Sequence, residues 1–218
     1  MFIGHFAVGY ALNRQVPKAS LGTLIAAPLF LDLLWPFALL AGIETVRIDP
    51  GNTVVTPFDL HDYPWTHSLA MAVVWSLLFG GLYAWRTGHR TGGTWLGLGV
   101  FSHWILDWVS HRPDLPLYPG SATYVGLGLW NSLPGTLAVE FSLYAAGIWA
   151  YSSVTRPKDR TGRFAWWITA AFFGLAYLGN VFGPPPPSAH AIAVAGCFIP
   201  LFIPLFAWVD RHRKVRRT

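Results

Sequence analysis

Residues 164–209 contain no Asp, Glu, Lys or Arg. A stretch that long without a charge is difficult to reconcile with a water-soluble fold. It is long enough for two membrane spans of about 20 residues each. The rest of the chain agrees. Charged residues make up 11% of it, where soluble domains carry about 25%, and the charges are clumped rather than spread. Several of the 12 tryptophans, such as Trp35, Trp65, Trp85, Trp130 and Trp208, fall near the ends of apolar runs, where indole rings favour the membrane interface.

Six long apolar segments stand out, at about 20–43, 64–85, 92–110, 133–152, 164–183 and 189–209. A shorter one, residues 1–12, covers roughly 18 Å as a helix, too little for a hydrocarbon core of about 30 Å. It is expected to lie in the interface or dip partway in. The connecting segments set the orientation. Arg14, Lys18, Arg86, Arg90, Arg156, Lys158, Arg160, Arg163, Arg211, Arg213, Lys214, Arg216 and Arg217 all fall on one side, 13 of the 15 basic residues. Arg47 and Arg112 fall on the other. The bias of basic residues toward the cytoplasm puts both termini there. The expectation is an all-α polytopic bundle of about six transmembrane helices plus a short N-terminal helix, one integral membrane domain over residues 1–218, in a bacterial or archaeal cytoplasmic membrane. No cleavable signal peptide is apparent. The lone Cys197 excludes an intramolecular disulfide. The net charge of +5 reflects the basic loops and a C-terminal tail suited to anionic lipid, so no nucleic-acid partner is expected.

Ionisable groups inside spans are costly and usually functional. Here they are Asp32, His67, His103, Asp107 and Glu140. Helix rise places all five at roughly 16–25 Å from the cytoplasmic edge of a core of about 30 Å, on four different spans. His5 can join them if the N-terminal helix dips inward. His103 and Asp107 are i and i+4, hence on one face. His111 continues the stripe toward the surface. Such a stripe is tolerable only facing a shared cavity. Imidazole and carboxylate together suit zinc, manganese or iron, and two ions about 3.5–4 Å apart are a recurring device for phosphoester hydrolysis. Competing readings remain at this level. His103 and Asp107 could bond to each other and stiffen a bundle, Thr66 could serve as a helix cap beside His67, and Glu140 could be a lone buried acid.

Four motifs occur in order: His5 to Gly9 in GHFAVGY, Asp32 in PLFLDLLWP, His61 with Thr66-His67-Ser68 in HDYPWTHSLA, and His103 with Asp107 in SHWILDWVSHRPDLPLYPG. In this order the chain resembles the YdjM-like membrane-bound metal-dependent hydrolases, over residues 1–120. That family is similar to the zinc-dependent phospholipase C and single-strand nuclease superfamily. The resemblance implies a metal-dependent phosphoester hydrolase with His5, Asp32, His67, His103 and Asp107, and more loosely Glu140, as ligands of one or two zinc ions, or of manganese or iron; His61 is a further candidate ligand. Where the family often has Pro-Asp-x-Asp, this chain has Leu31-Asp32-Leu33-Leu34, and its His61-to-His67 interval is one residue longer than usual. Glu140 and His111 are candidate proton carriers, and Arg112 a candidate contact for substrate phosphate. The substrate expected is a phosphoester, with a membrane lipid as one candidate. The rivals are a metal-ion or proton transporter, which needs polar groups in the cytoplasmic half as well, and a non-catalytic scaffold holding a structural metal.

Overall fold

The chain breaks its first long apolar segment at Pro28, and that break organises the interior. The computed structural model describes residues 1–216, so Arg217 of the basic tail lies outside the described residues. Helix α2 (Leu21–Ala26) is capped by Ser20, whose hydroxyl accepts the Thr23 N–H. It stops before Pro28, which has no N–H to give. The chain restarts as α3 (Phe30–Leu40). The expected single span over 20–43 is therefore two short helices.

The N-terminal segment is packed inside the protein. Helix α1 (Ile3–Ala11) buries Ile3, Gly4, His5, Phe6, Ala7, Gly9 and Tyr10. A short helix that is apolar on nearly every side belongs in a core. Glycines let its neighbours reach its backbone. A Cβ on Gly147 of α7 (Leu133–Val154) would lie 2.5 Å from the Ala7 Cα. One on Gly9 would lie 2.9 Å from the Ile25 Cα.

A tight hairpin of long helices flanks this centre. Helix α4 (Pro64–His67) is one turn, and α5 (Leu69–Thr87) and α6 (Arg90–Ser110) follow it. Gly88, at φ +72°, turns the chain between α5 and α6. Their seam is built from small residues. A Cβ on Gly80 would meet the Gly93 carbonyl oxygen at 2.4 Å, and one on Gly97 the Ser76 carbonyl oxygen at 2.9 Å. Close backbone approach of this kind is how apolar helices associate where burial from water gives no drive. Helices α8 (Arg160–Phe182), α9 (Ala189–Gly196) and α10 (Phe202–Arg211) complete the bundle, with Gly196 of α9 set against the Pro36 ring.

Among the described residues, three helical stretches are long and apolar enough to cross a membrane: Leu69–Thr87, Arg160–Phe182 and Ala189–Arg211. Helices α6 and α7 have spanning length, but glycines, His103, Asp107 and Glu140 lower their hydropathy. The fold is mostly helical rather than wholly so. Strands β1 (Thr45–Ile48) and β2 (Phe58–Asp62) form an antiparallel hairpin that pairs Arg47 with Asp59. Strands β3 (Leu115–Pro116) and β4 (Tyr124–Val125) form a second pair. A third joins β5 (Thr155–Pro157) to β6 (Arg213–Val215). This last pair takes one basic residue of the tail, Arg213, out of the exposed surface. Arg213 is buried and donates to the Thr155 hydroxyl and the Gly162 carbonyl. Backbone pairing turns it inward.

Candidate metal centre

Four interruptions of regular helix bring the ionisable groups together. The break at Pro28 places Asp32 in the first turn of α3. The end of α4 places His67, because Ser68 leaves helical geometry to cap α5. His111 terminates α6. The N-terminus of α1 is held by Glu140, whose two carboxylate oxygens accept the Phe2 N–H (2.8 Å) and the Gly4 N–H (2.7 Å). That clamp sets the depth of His5. All of these side chains but Asp32 are buried, and Asp32 faces a cavity.

Asp107 is the hub. His5 Nε2 lies 3.1 Å from Asp107 Oδ1, and His103 Nε2 3.0 Å from Oδ2. His111 Nε2 is 3.8 Å and His67 Nε2 4.0 Å from Oδ2. Asp32 Oδ1 closes the other side, 3.5 Å from His67 Nε2 and 3.8 Å from His103 Nε2. The Met1 amine also ion-pairs with Asp107 Oδ1. Two trios emerge, His5–His103–Asp107 and Asp32–His67–His103. Within each, the potential ligand atoms lie within 4.8 Å of one another. Ligands about 2.1 Å from a common ion sit roughly 3–4 Å apart, so the spacing suits a metal.

The far nitrogens settle which lone pairs face inward. His103 Nδ1 is 2.7 Å from the Pro28 carbonyl oxygen, which can only accept, so Nδ1 carries the proton. Its Nε2 is then a bare lone pair in the neutral ring. That atom is buried and has no hydrogen-bond partner. It faces carboxylate oxygens of Asp107 and Asp32, acceptors meeting an acceptor, and a cation between them resolves the conflict. The donor set therefore fits a metal ion. His111 is held similarly, with Nδ1 3.0 Å from Asp114 Oδ1, which also accepts the Tyr63 hydroxyl at 3.1 Å. Partners behind a ligand histidine fix its orientation and raise its basicity.

The remaining predicted residues lie apart from these trios. His61, on β2, bonds the Thr45 hydroxyl (3.1 Å) and the Asp59 carbonyl (3.2 Å) and belongs to neither trio. Arg112 spans Asp59 (2.6 Å) and Asp114 (3.3 Å) at the surface. The Pro28 carbonyl and Asp114 are further partners of the cluster's histidines. Asp114 follows three residues after His111, a step that could have signalled the pair. Trp130 lies tilted against His111, with ring centroids 4.2 Å apart.

The cluster forms the polar end of a cavity of about 630 Å³, within the range of small-molecule sites. Its other walls are apolar and aromatic, among them Phe2, Trp35, Phe173, Tyr177, Ile192 and Phe202.

Fold and site together define a helical membrane protein with a buried histidine–aspartate cluster able to hold a metal ion. The sequence pattern of the YdjM inner membrane protein family matches residues 1–183, and the chain belongs to that family. It is an integral protein of the inner membrane. No curated protein and no solved structure matches it.

Proposed function

We propose that this protein is a membrane-embedded, metal-dependent hydrolase of phosphoesters, with an amphiphilic lipid as substrate. The observation that carries the reading is the buried, unpartnered His103 Nε2, set against Asp32 and Asp107, two carboxylates that line the polar end of a largely apolar cavity. His5, Asp32, His67, His103 and Asp107 would hold zinc; imidazole with carboxylate also admits manganese or iron. The bound metal supplies Lewis acidity and an activated water.

The protein's own groups do the rest. The apolar walls exclude water and hold the substrate's chain, which presents the phosphoester to the polar end. Hydrolysis joins a water oxygen to phosphorus and breaks the ester P–O bond, so one proton leaves water and one reaches the departing alcohol. His111 is placed to carry it: its ring lines the cavity while Asp114 holds Nδ1. Glu140, with both oxygens engaged by α1, holds His5 in place. Arg112 stands at the rim as the contact for a phosphate entering from outside.

The same reading gives six crossings with both termini cytoplasmic. Helices α6 and α7 cross beside the three apolar spans, their polar residues turned inward, and α2 with α3 makes the sixth crossing. The distribution of basic residues supports this orientation. The site then opens toward the outer leaflet.

The test measures metal content and turnover of phospholipids and a soluble phosphodiester on the same purified samples, beside His103→Ala and Asp107→Ala. Metal-dependent turnover lost in both variants supports the enzyme. Bound metal without turnover favours the scaffold, and ion flux across vesicles without hydrolysis favours the transporter.

A further inference from the structure

Glu44 follows α3 directly and is almost fully buried, 1% exposed. Burying a carboxylate is costly unless it is paired, yet among the described residues Glu44 meets no cation. Its partners both belong to Thr66. Oε1 accepts the Thr66 N–H at 2.8 Å, and Oε2 accepts the Thr66 hydroxyl at 2.6 Å. The first contact satisfies a backbone donor in the opening turn of α4, which has no partner within the helix. A neutral amide would serve that need equally well. The second contact is different. A carboxylate can only accept, so the hydroxyl proton of Thr66 is committed to Glu44. Thr66 Oγ1 then has only lone pairs left for its other neighbour, His67 Nδ1 at 2.7 Å. His67 must donate from Nδ1, and in the neutral ring its Nε2 is left bare toward Asp32 Oδ1.

We infer that Glu44 is a positioning residue: through the Thr66 hydroxyl it fixes His67 in the tautomer whose Nε2 lone pair faces the cluster. The consequence for metal affinity rests on the reading given above; the tautomer itself does not. Sequence alone could not connect Glu44 with His67, because they lie on either side of the β1–β2 hairpin.

Glu44→Gln tests the idea with almost no change of shape. Its amide oxygen can still accept the Thr66 N–H, which puts the amide NH₂ against Thr66 Oγ1. The hydroxyl proton is then released toward His67 Nδ1, and the ring reverses to carry its proton on Nε2. The measurement is the ring-nitrogen NMR signals of ¹⁵N-histidine-labelled, metal-free protein in nanodiscs, with His67 assigned from the spectrum of His67→Gln. Wild type and Thr66→Ser should show Nδ1 protonated and Nε2 bare. Glu44→Gln should show the reverse. In chelator competition its zinc affinity should fall about 10–100-fold, as for other partners behind ligand histidines. Wild type with His67 protonated on Nε2, or Glu44→Gln with an unchanged tautomer, overturns the inference. If the tautomer reverses as expected but neither protein binds zinc, the metal reading fails and the role of Glu44 stands. If zinc binds wild type and Glu44→Gln alike with the tautomer unchanged, the metal reading survives and the role of Glu44 does not.

Discussion

The imidazole rings of His5 and His103 lie parallel, with centroids 3.9 Å apart and 1° between their planes. One comes from the buried N-terminal helix and the other from α6. Their Nε2 atoms divide the Asp107 carboxylate between them, one oxygen each. Two rings this close cannot both be imidazolium without strong repulsion. The stack thus carries at most one imidazolium.

That arrangement separates ligands from bystanders. His103→Ala removes the atom common to both trios, and purified protein should fall to sub-stoichiometric zinc by elemental analysis. His61→Ala should keep the wild-type content, because its ring is occupied within the hairpin. Equal loss in both variants would place His61 in the site and contradict the geometry.

If the cluster holds a metal as proposed, removing it should loosen the interior. A ligand at 100 times its dissociation constant stabilises the native state by about 2.7 kcal/mol. Chelation should therefore lower the thermal midpoint in detergent, and zinc should restore it. In His103→Ala the midpoint should no longer respond to either addition.

Gly147 lets α7 touch α1. A side chain there meets the Ala7 Cα and carbonyl oxygen at 2.5 and 2.7 Å. Gly147→Val should cost about 1–3 kcal/mol of stability, as overpacking does. Since α1 carries His5, zinc affinity should fall too. Normal affinity in a folded Gly147→Val protein would show that α1 is not held by that contact.

The cavity wall on α9 can be narrowed without touching the polar end. Ala195→Trp should raise KM for long-chain phospholipid about tenfold, equivalent to ~1.4 kcal/mol, and leave a small soluble phosphodiester unaffected. A parallel rise for both substrates would argue against a chain lying in the cavity.

Asp159 offers a pH test away from the membrane interior. The hydrogen bond from His212 holds its carboxyl below the usual range, helped by the Gly162 N–H. A depressed folded-state value means the contact stabilises above the unfolded value, near 4, and weakens as pH falls through the folded one. Amide protection of β6 should therefore drop only at pH below about 4. Asp159→Asn should lower it at neutral pH.

Much of the site was legible because membrane interiors tolerate few ionisable groups. Asp32, His67, His103 and Asp107 stood out against apolar surroundings, and helix rise put them at similar depth. The i, i+4 step joined His103 to Asp107 before any packing was known. Glu44 was not legible, because it lies in a loop where an acid is ordinary. The Pro28 carbonyl was not legible either, since every residue has a backbone oxygen and only packing selects one.

Sequence alone determined the solvent of this protein and the chemistry it buries, since uncharged runs and isolated histidines and aspartates carry those meanings wherever they fold. Tertiary structure decided that the shortest apolar segment became the core, because glycines on its neighbours admit a helix that is apolar on nearly every side. It also decided which nitrogen of His103 and of His67 faces inward. That choice depends on the Pro28 carbonyl and on Glu44, supplied by distant parts of the chain, and no local pattern records it.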